Sequence, residues 1–345
     1  MLAADVDQGL REPPFTPSWA TLRRIGPLYQ RAWCFQELFL ATRSLHFTVF
    51  TPGGIVFECK THRRNEGALP PYPYTAEGTL GEVTVENRWR LTVNAYTYRR
   101  LTFDKGRLVA ISGIASSMQS ERRGEYIAGL WTSSLVVDLL WHVMPGASER
   151  PLTFTRDVAP SWSWASVGRG IVWNPLRAAE ALIEVTGAKC VLKEPSLNPF
   201  GQVTVVVIAV RGRLLQCRIR YDVATREYHA YYVRSNGKQS KERWFMPDGL
   251  LICEAQSSGQ TLSSTDPEKV VRRARAQETN PGEAFDGVVW FLCVVKTAWT
   301  NYNHVELLLS KVTFGDAKSF QRLGCVSDLS RDWSDSGTKQ DILLS

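Results

Sequence analysis

The chain has 345 residues, enough for two ordinary domains or for one large domain with an elaborated sheet. Hydrophobic residues make up 44% and charged residues 22%, with 12 tryptophans, a balance that excludes a disordered chain. The formal charge of +7 raises nucleic acid as a partner, yet the basic residues are scattered. The densest groups, Arg211, Arg213, Arg218 and Arg220, then Lys269, Arg272, Arg273 and Arg275, are not interleaved with stacking aromatics, so a solvated basic face and no nucleic-acid partner are expected.

Cys34, Cys59, Cys190, Cys217, Cys253, Cys293 and Cys325 are odd in number, spread out, and never form Cys-x-x-Cys. That spacing argues against a disulfide scaffold and against a zinc site, and it fits a reducing compartment, the cytoplasm. The first residues carry acidic groups and no apolar core, so they do not read as a secretory or transit signal. No window reaches the roughly 18 uninterrupted apolar residues of a membrane span.

Residues 1–24 include Pro13, Pro14 and Pro17 without periodicity and read as a lead-in tail. Pro27 suits the first turn of a helix, where its missing N–H has no intrahelical partner, and a helix is predicted from there to about Ala41. Leu28, Ala32, Phe35 and Phe39 share one face while Tyr29, Trp33 and Leu40 widen the apolar arc, so the helix is expected to be buried on more than one side. The β-rich runs "SLHFTVF" and "GIVFECK" flank Thr51-Pro52-Gly53-Gly54, which is turn chemistry for a hairpin. Helix and hairpin make residues 1–62 the first region.

Residues 63–145 read as a linker and a helical region. Its first part, to residue 80, has the Pro and Gly content of a loop, and Glu82 to Leu101 has helical character. Asp104 stands where it would cap a helix through Leu108, Ile111 and Ile114. Ile127, Trp131, Leu135 and Leu139 fall at every fourth position, which predicts an amphipathic helix with His142 at its negative end.

From about Pro160 the texture becomes strand, so residues 146–345 are expected to be β-rich with antiparallel connections. In "SWSWAS", Trp162 and Trp164 are two apart and would share one strand face as core packing. Further strands are predicted in "QVTVVVIAVRGRLLQCRI", "EYHAYYVR", "GLLICEA", "GVVWFLCVVKT" and "VELLLSKVTF", with a long polar loop between Ala255 and Gly282. The fold class is α+β: a helix with a β-hairpin, a helical middle segment, and an antiparallel C-terminal half.

The chain contains no phosphate-binding Gly-rich loop, no His-Glu-x-x-His and no Gly-x-Ser-x-Gly elbow, and its five histidines stand apart without ligand-like pairing. No metal site is expected. Glu37 is the one carboxylate inside the predicted apolar helix, one turn after Trp33. Packed there it would have a raised pKa unless a donor served it. It either accepts hydrogen bonds from backbone or from Arg31 or Arg43 and locks helix to hairpin, or it faces a cleft and handles a ribose hydroxyl or developing positive charge.

"RAWCFQELFLATRSLHFTVFTPGGIVFEC" resembles the last conserved block of the heterokaryon-incompatibility (HET) domain of filamentous fungi. Arg31, Trp33, Gln36, Glu37 and Leu38 fall on its pattern, as do Leu45, Phe47, Glu58 and Cys59, while Ala32, Phe39 and Ala41 depart from its usual Gly, Leu and Ser. Residues 96–118, 124–143 and 159–173, the last with Trp162 and Trp164, are similar to the region that follows such domains. The resemblance implies a role in fungal non-self recognition, where these proteins trigger growth arrest and programmed cell death.

Trp33, Cys34, Glu37 and Leu38 also match the "WCxxEL" helix of TIR domains, whose glutamate serves NAD cleavage in their enzymatic members. That resemblance makes Glu37 a candidate catalytic residue and NAD a candidate substrate. The two earlier HET blocks are missing, and with them the strands that would supply most of a nucleotide pocket. The expectation is therefore a truncated HET-like protein without catalysis or cofactor, acting through an unidentified protein partner. The alternative is an NAD-cleaving enzyme using Glu37, complete only with a partner or with further N-terminal sequence.

Overall fold

Pro27 begins a turn, and the first helix, α1, starts later than the sequence suggests, at Ala32, and ends at Leu40. The computed structural model describes residues 27–47, 55–59, 63–65, 84–144, 158–174, 179–222, 227–234, 236–240, 242–245, 248, 285–297, 304–314, 317–328 and 336–345. The chain divides into two compact units, Met1–Val83 and Thr84–Ser345. The lead-in tail, the loop after residue 65, "GLLICEA" and the polar loop from Ala255 lie outside the described residues.

In the first unit, β1 (Arg43–Phe47) pairs antiparallel with β2 (Ile55–Cys59), with Arg43 opposite Cys59 and Phe47 opposite Ile55. This is the expected hairpin. Residues assigned to a loop by sequence add a third strand, β3 (Arg63–Asn65), antiparallel to β2. Strand alternation buries His46, Val56 and Glu58 on one face and leaves Leu45 and Phe47 exposed on the other. The expectation that α1 is buried on several sides is corrected: only Ala32 is buried, and Trp33, Phe39 and Leu40 are 39% to 43% exposed. One short helix cannot bury an apolar arc wider than the neighbour it meets.

The second unit opens with α2 (Val85–Thr97), capped by Thr84, whose Oγ1 accepts from the Asn87 N–H at 3.3 Å. Trp89, Thr92, Val93 and Tyr96 recur at helical spacing and are all buried. Asp104 does not cap a single long helix. It begins a tight turn, Asp104–Gly106, and ion-pairs with Arg107, after which α3 runs Val109–Met118.

The predicted helix through Ile127 and Leu139 is replaced by a two-residue hairpin, β4 (Tyr126–Ile127) with β5 (Leu130–Trp131), followed by a short α4 (Leu135–Asp138). Ala128 and Gly129, at φ 45° and 96°, turn the chain in the left-handed region that tight hairpins require. The apolar spacing was real, since Ile127, Trp131, Leu135 and Leu139 are all buried, but three different elements bury them.

Strand β6 (Trp141–Val143) pairs with β7 (Ile171–Trp173), so His142 sits on a strand and not at a helix end. Burial, with Arg322 adding to it, pulls His142 down to about 4. "SWSWAS" is likewise no strand: it is a turn leading into a 3-10 segment, Trp164–Ser166. The serine hydroxyls bond to nearby backbone instead of leaving a ladder intact, Ser163 donating to the Ala128 carbonyl and Ser166 to the Ser163 carbonyl. The core assignment of Trp162 and Trp164 stands, both being fully buried.

The remaining strands are β8 (Glu180–Ala181), β9 (Glu184–Leu192), β10 (Val203–Asp222), β11 (Glu227–Tyr231), β12 (Arg243–Phe245), β13 (Phe285–Lys296), β14 (His304–Phe314), β15 (Ala317–Asp328) and β16 (Thr338–Leu344). They form one sheet in the order β12-β11-β10-β16-β15-β14-β13-β8, with β9 on β10. All its pairings are antiparallel except β15 with β16. Besides β9 and β11, the 20 residues of β10 pair with β16 through Ile208–Leu214 and with β13 through Leu214–Tyr221, and these last two pairings close the sheet into a ring.

Same-facing residues of β10 to β14 then form a core: Cys217, Ile219, Tyr228, Ala230, Phe245, Val289, Phe291 and Leu308, with Tyr232 just beyond β11. Residue Asp248, just past β12, donates its N–H to the Leu323 carbonyl of β15 and so carries the roll toward closure on that side. On the other face of β15, the fully buried Arg322 ion-pairs with Asp248 at 3.0 Å. It also donates to the carbonyls of Leu139 and Trp141 and lies 3.5 Å over the Trp141 ring.

Two stability predictions follow from these contacts. A Cβ at Gly129 would lie 2.7 Å from Trp164 Nε1 on a backbone at positive φ, so Gly129→Ala is expected to cost about 2–4 kcal/mol, read as a lower urea midpoint. Asp248→Asn leaves the Arg322 charge buried without its counter-charge and is expected to cost about 3–5 kcal/mol, with D248N/R322M costing less than the sum of the single changes.

Candidate functional site

The family block folds as one piece of the first unit, and its polar residues part company there. Arg31 stands at the start of α1 and is exposed, as are Trp33 and Glu37, while Gln36 and Leu38 are half-buried. The Glu37 carboxylate has no hydrogen-bond partner among the described residues. Neither sequence reading of Glu37 holds in its packed form, since the side chain is in solvent and bonds neither Arg31 nor Arg43. A helix residue on an uncovered face meets water whatever its neighbours' hydrophobicity.

The carboxylate that is buried is Glu58, on β2. Its Oε2 lies 3.4 Å from His46 Nε2, a nitrogen that also contacts Ser44 Oγ at 2.9 Å. The other ring nitrogen, Nδ1, contacts the Tyr29 hydroxyl at 2.6 Å. Sheet geometry places these groups together: Ser44 and His46 are two apart on β1 and share a face, and Glu58 lies opposite Ser44. Tyr29 arrives from the turn ahead of α1, so the imidazole fastens that turn to the hairpin.

The arrangement constrains what His46 can do. In a serine nucleophile triad the hydroxyl bonds one ring nitrogen and the carboxylate orients the other. Here serine and carboxylate meet at the same nitrogen and a tyrosine occupies the other, so the cluster acts as a clamp. Sequence reasoning missed it by treating the histidines as isolated. The signal was Ser-x-His opposite a glutamate across a hairpin, legible once the hairpin register is known.

Cys59 on β2 and Cys34 on α1 are half-buried and are not joined in a disulfide. Trp162 and Trp164 belong to the core of the second unit: the Trp164 indole N–H donates to the Gly129 carbonyl at 2.9 Å, and the Trp162 carbonyl accepts from Trp141 Nε1 at 2.8 Å. In that unit Asp138 is fully buried and served by Arg90 at 2.8 Å and by Ser134 at 2.6 Å, a structural pairing. No group of His, Cys, Asp and Glu among the described residues could hold a metal ion. No described helix is long and apolar enough to cross a membrane.

No family model, no curated protein and no solved structure matches the chain. The functional reading therefore rests on its own residues and on where they lie.

Glu58→Ala removes the buried acceptor beneath the hairpin and is expected to lower amide-exchange protection across β1 and β2 by about 10- to 100-fold, the equivalent of a buried polar partner worth roughly 1–3 kcal/mol. Glu37→Gln, at an exposed site, is expected to change that protection by no more than about twofold.

Proposed function

We propose that the chain is a HET-like protein of fungal non-self recognition that works in the cytoplasm through a protein partner and without catalysis of its own. The observation that supports this reading is the position of Glu37. The resemblance gives that carboxylate its chemistry, yet it stands in solvent with no described donor or base converging on it. An acid so placed lacks the orientation and desolvation that bond cleavage requires. The groups that do converge in this unit, Tyr29, Ser44, His46 and Glu58, are engaged with one another.

A partner-directed role draws support from the exposed apolar side chains of the same unit. Leu28, Trp33, Phe39, Leu40, Leu45 and Phe47 are all large and between 39% and 79% exposed. Large apolar side chains left exposed within one short segment are a common feature of interaction surfaces.

The test is inducible expression in a filamentous fungus with growth and cellular NAD followed together. Wild type and Glu37→Gln are both expected to arrest growth with NAD unchanged, and Trp33→Ser combined with Phe39→Ser is expected to abolish arrest. Nicotinamide release from NAD by the purified chain, lost in E37Q, would instead make Glu37 a catalyst. A wild-type chain without effect on growth would remove the incompatibility reading.

A further inference from the structure

Glu306 on β14 is a carboxylate 2% exposed inside the roll formed by β10 to β15, and its Oε2 has no hydrogen-bond partner among the described residues. It lies opposite Cys293 on β13 and Val326 on β15, and it shares its strand face with Leu308 of the aromatic and aliphatic core. The titratable groups around it come from every wall of the roll. Cys217 faces in from β10, Tyr228 from β11, Arg243 from β12, and Cys293 from β13. Cys325 of β15 is within electrostatic reach, and His304 is two residues along on the same face of β14. Tyr232 is engaged at its hydroxyl by Ser336. Arg243 is the one cation that bears on Glu306 among these.

Arg243 sits on the shortest of these walls. Strand β12 has three residues, ends the sheet order and, among the described residues, is paired to β11, through Phe245 with Tyr228, Trp244 with His229 and Arg243 with Ala230, while Asp248 beyond it bonds Leu323 of β15. An edge strand this short is the element that opens first when the core beneath it is perturbed.

We propose that Glu306 is a pH-operated latch on β12: uncharged, it lets the roll close over a dry core, and ionised, it draws water inward and releases the strand that carries Arg243. Burial raises Glu306 from 4.5 to about 7, against a smaller opposing pull from Arg243. Only the charged form suffers burial, so closure is fully favoured below about 4.5 and weakens as pH climbs until it passes about 7. Opening would expose the edge aromatics Tyr228 and Phe245, which are buried in the closed roll.

The experiment is amide exchange on β12 of the full chain at about pH 5.5 and about pH 8.5, corrected for intrinsic rates. Wild type is expected to lose protection there by about tenfold or more at the higher pH, and Glu306→Gln, close in shape and without charge, is expected to keep it at both. Arg243→Gln removes the charge that eases ionisation, so the loss still begins near 4.5 but continues beyond about 7 and is expected to be larger than in wild type at about pH 8.5. Equal wild-type protection at the two pH values overturns the latch, as does an E306Q chain that loses protection as wild type does. A loss in R243Q no larger than in wild type also overturns it.

Discussion

One buried guanidinium carries the second unit. Arg322 is on β15, yet its partners come from three places: the carboxylate of Asp248 beyond β12, the carbonyls that end α4 and begin β6, and the face of Trp141. Taking that charge out of water costs several kcal/mol, and the cost is offset because all three of its nitrogens donate to a carboxylate or a carbonyl and one face lies on a ring. Such a group specifies geometry more than it adds stability. Only one placement of β6 against β15 presents two carbonyls, a ring and a carboxylate at once, and that placement fixes the helical segment on the sheet.

Tryptophans extend the same logic to uncharged groups. The Gly129 carbonyl accepts from the indoles of both Trp89 and Trp164, at 3.0 Å and 2.9 Å, and the Trp162 carbonyl accepts from Trp141. Each ring fills the core with its body and fixes a turn with its N–H. This explains what the sequence hid. Spacing by fours from Ile127 to Leu139 counts buried positions correctly, but it cannot register that Ala128 and Gly129 reverse the chain in left-handed geometry between them. In "SWSWAS" the alternation was equally true as burial and wrong as strand, because hydroxyls that bond their own backbone leave no ladder.

The long strands were legible for the opposite reason. Runs such as β10 and β13 are apolar and β-branched over more residues than any local competitor could redirect, so local preference and tertiary pairing agree. The closure of the ring was not legible, since nothing local in β10 says that its two halves meet different partners. In the first unit the helix and hairpin were readable, but which carboxylate is buried was not: Glu37 is exposed and Glu58 is buried. Glu37 drew attention by its apolar neighbours in sequence, while Glu58 entered only as a residue of the family pattern, with no partner assigned to it. Exposure depends on which face finds a covering element, and the meeting of Ser44, His46 and Glu58 depends on the register in which β1 and β2 pair.

Buried charges in the second unit differ in how completely they are served, and that difference separates structure from response. Asp138 has a guanidinium and a hydroxyl, and Asp248 has Arg322. Glu306 lies on the same sheet as Arg322 but on the opposite face, because its neighbour on β14 that pairs with Arg322 is Leu309, an odd step away. There it meets thiols, aromatic rings and one cation on a short edge strand, and one of its oxygens is left over. A fully served charge resists pH because changing its state breaks several bonds at once. A partly served one has little to hold it in either state, so the element that yields most easily takes up the change.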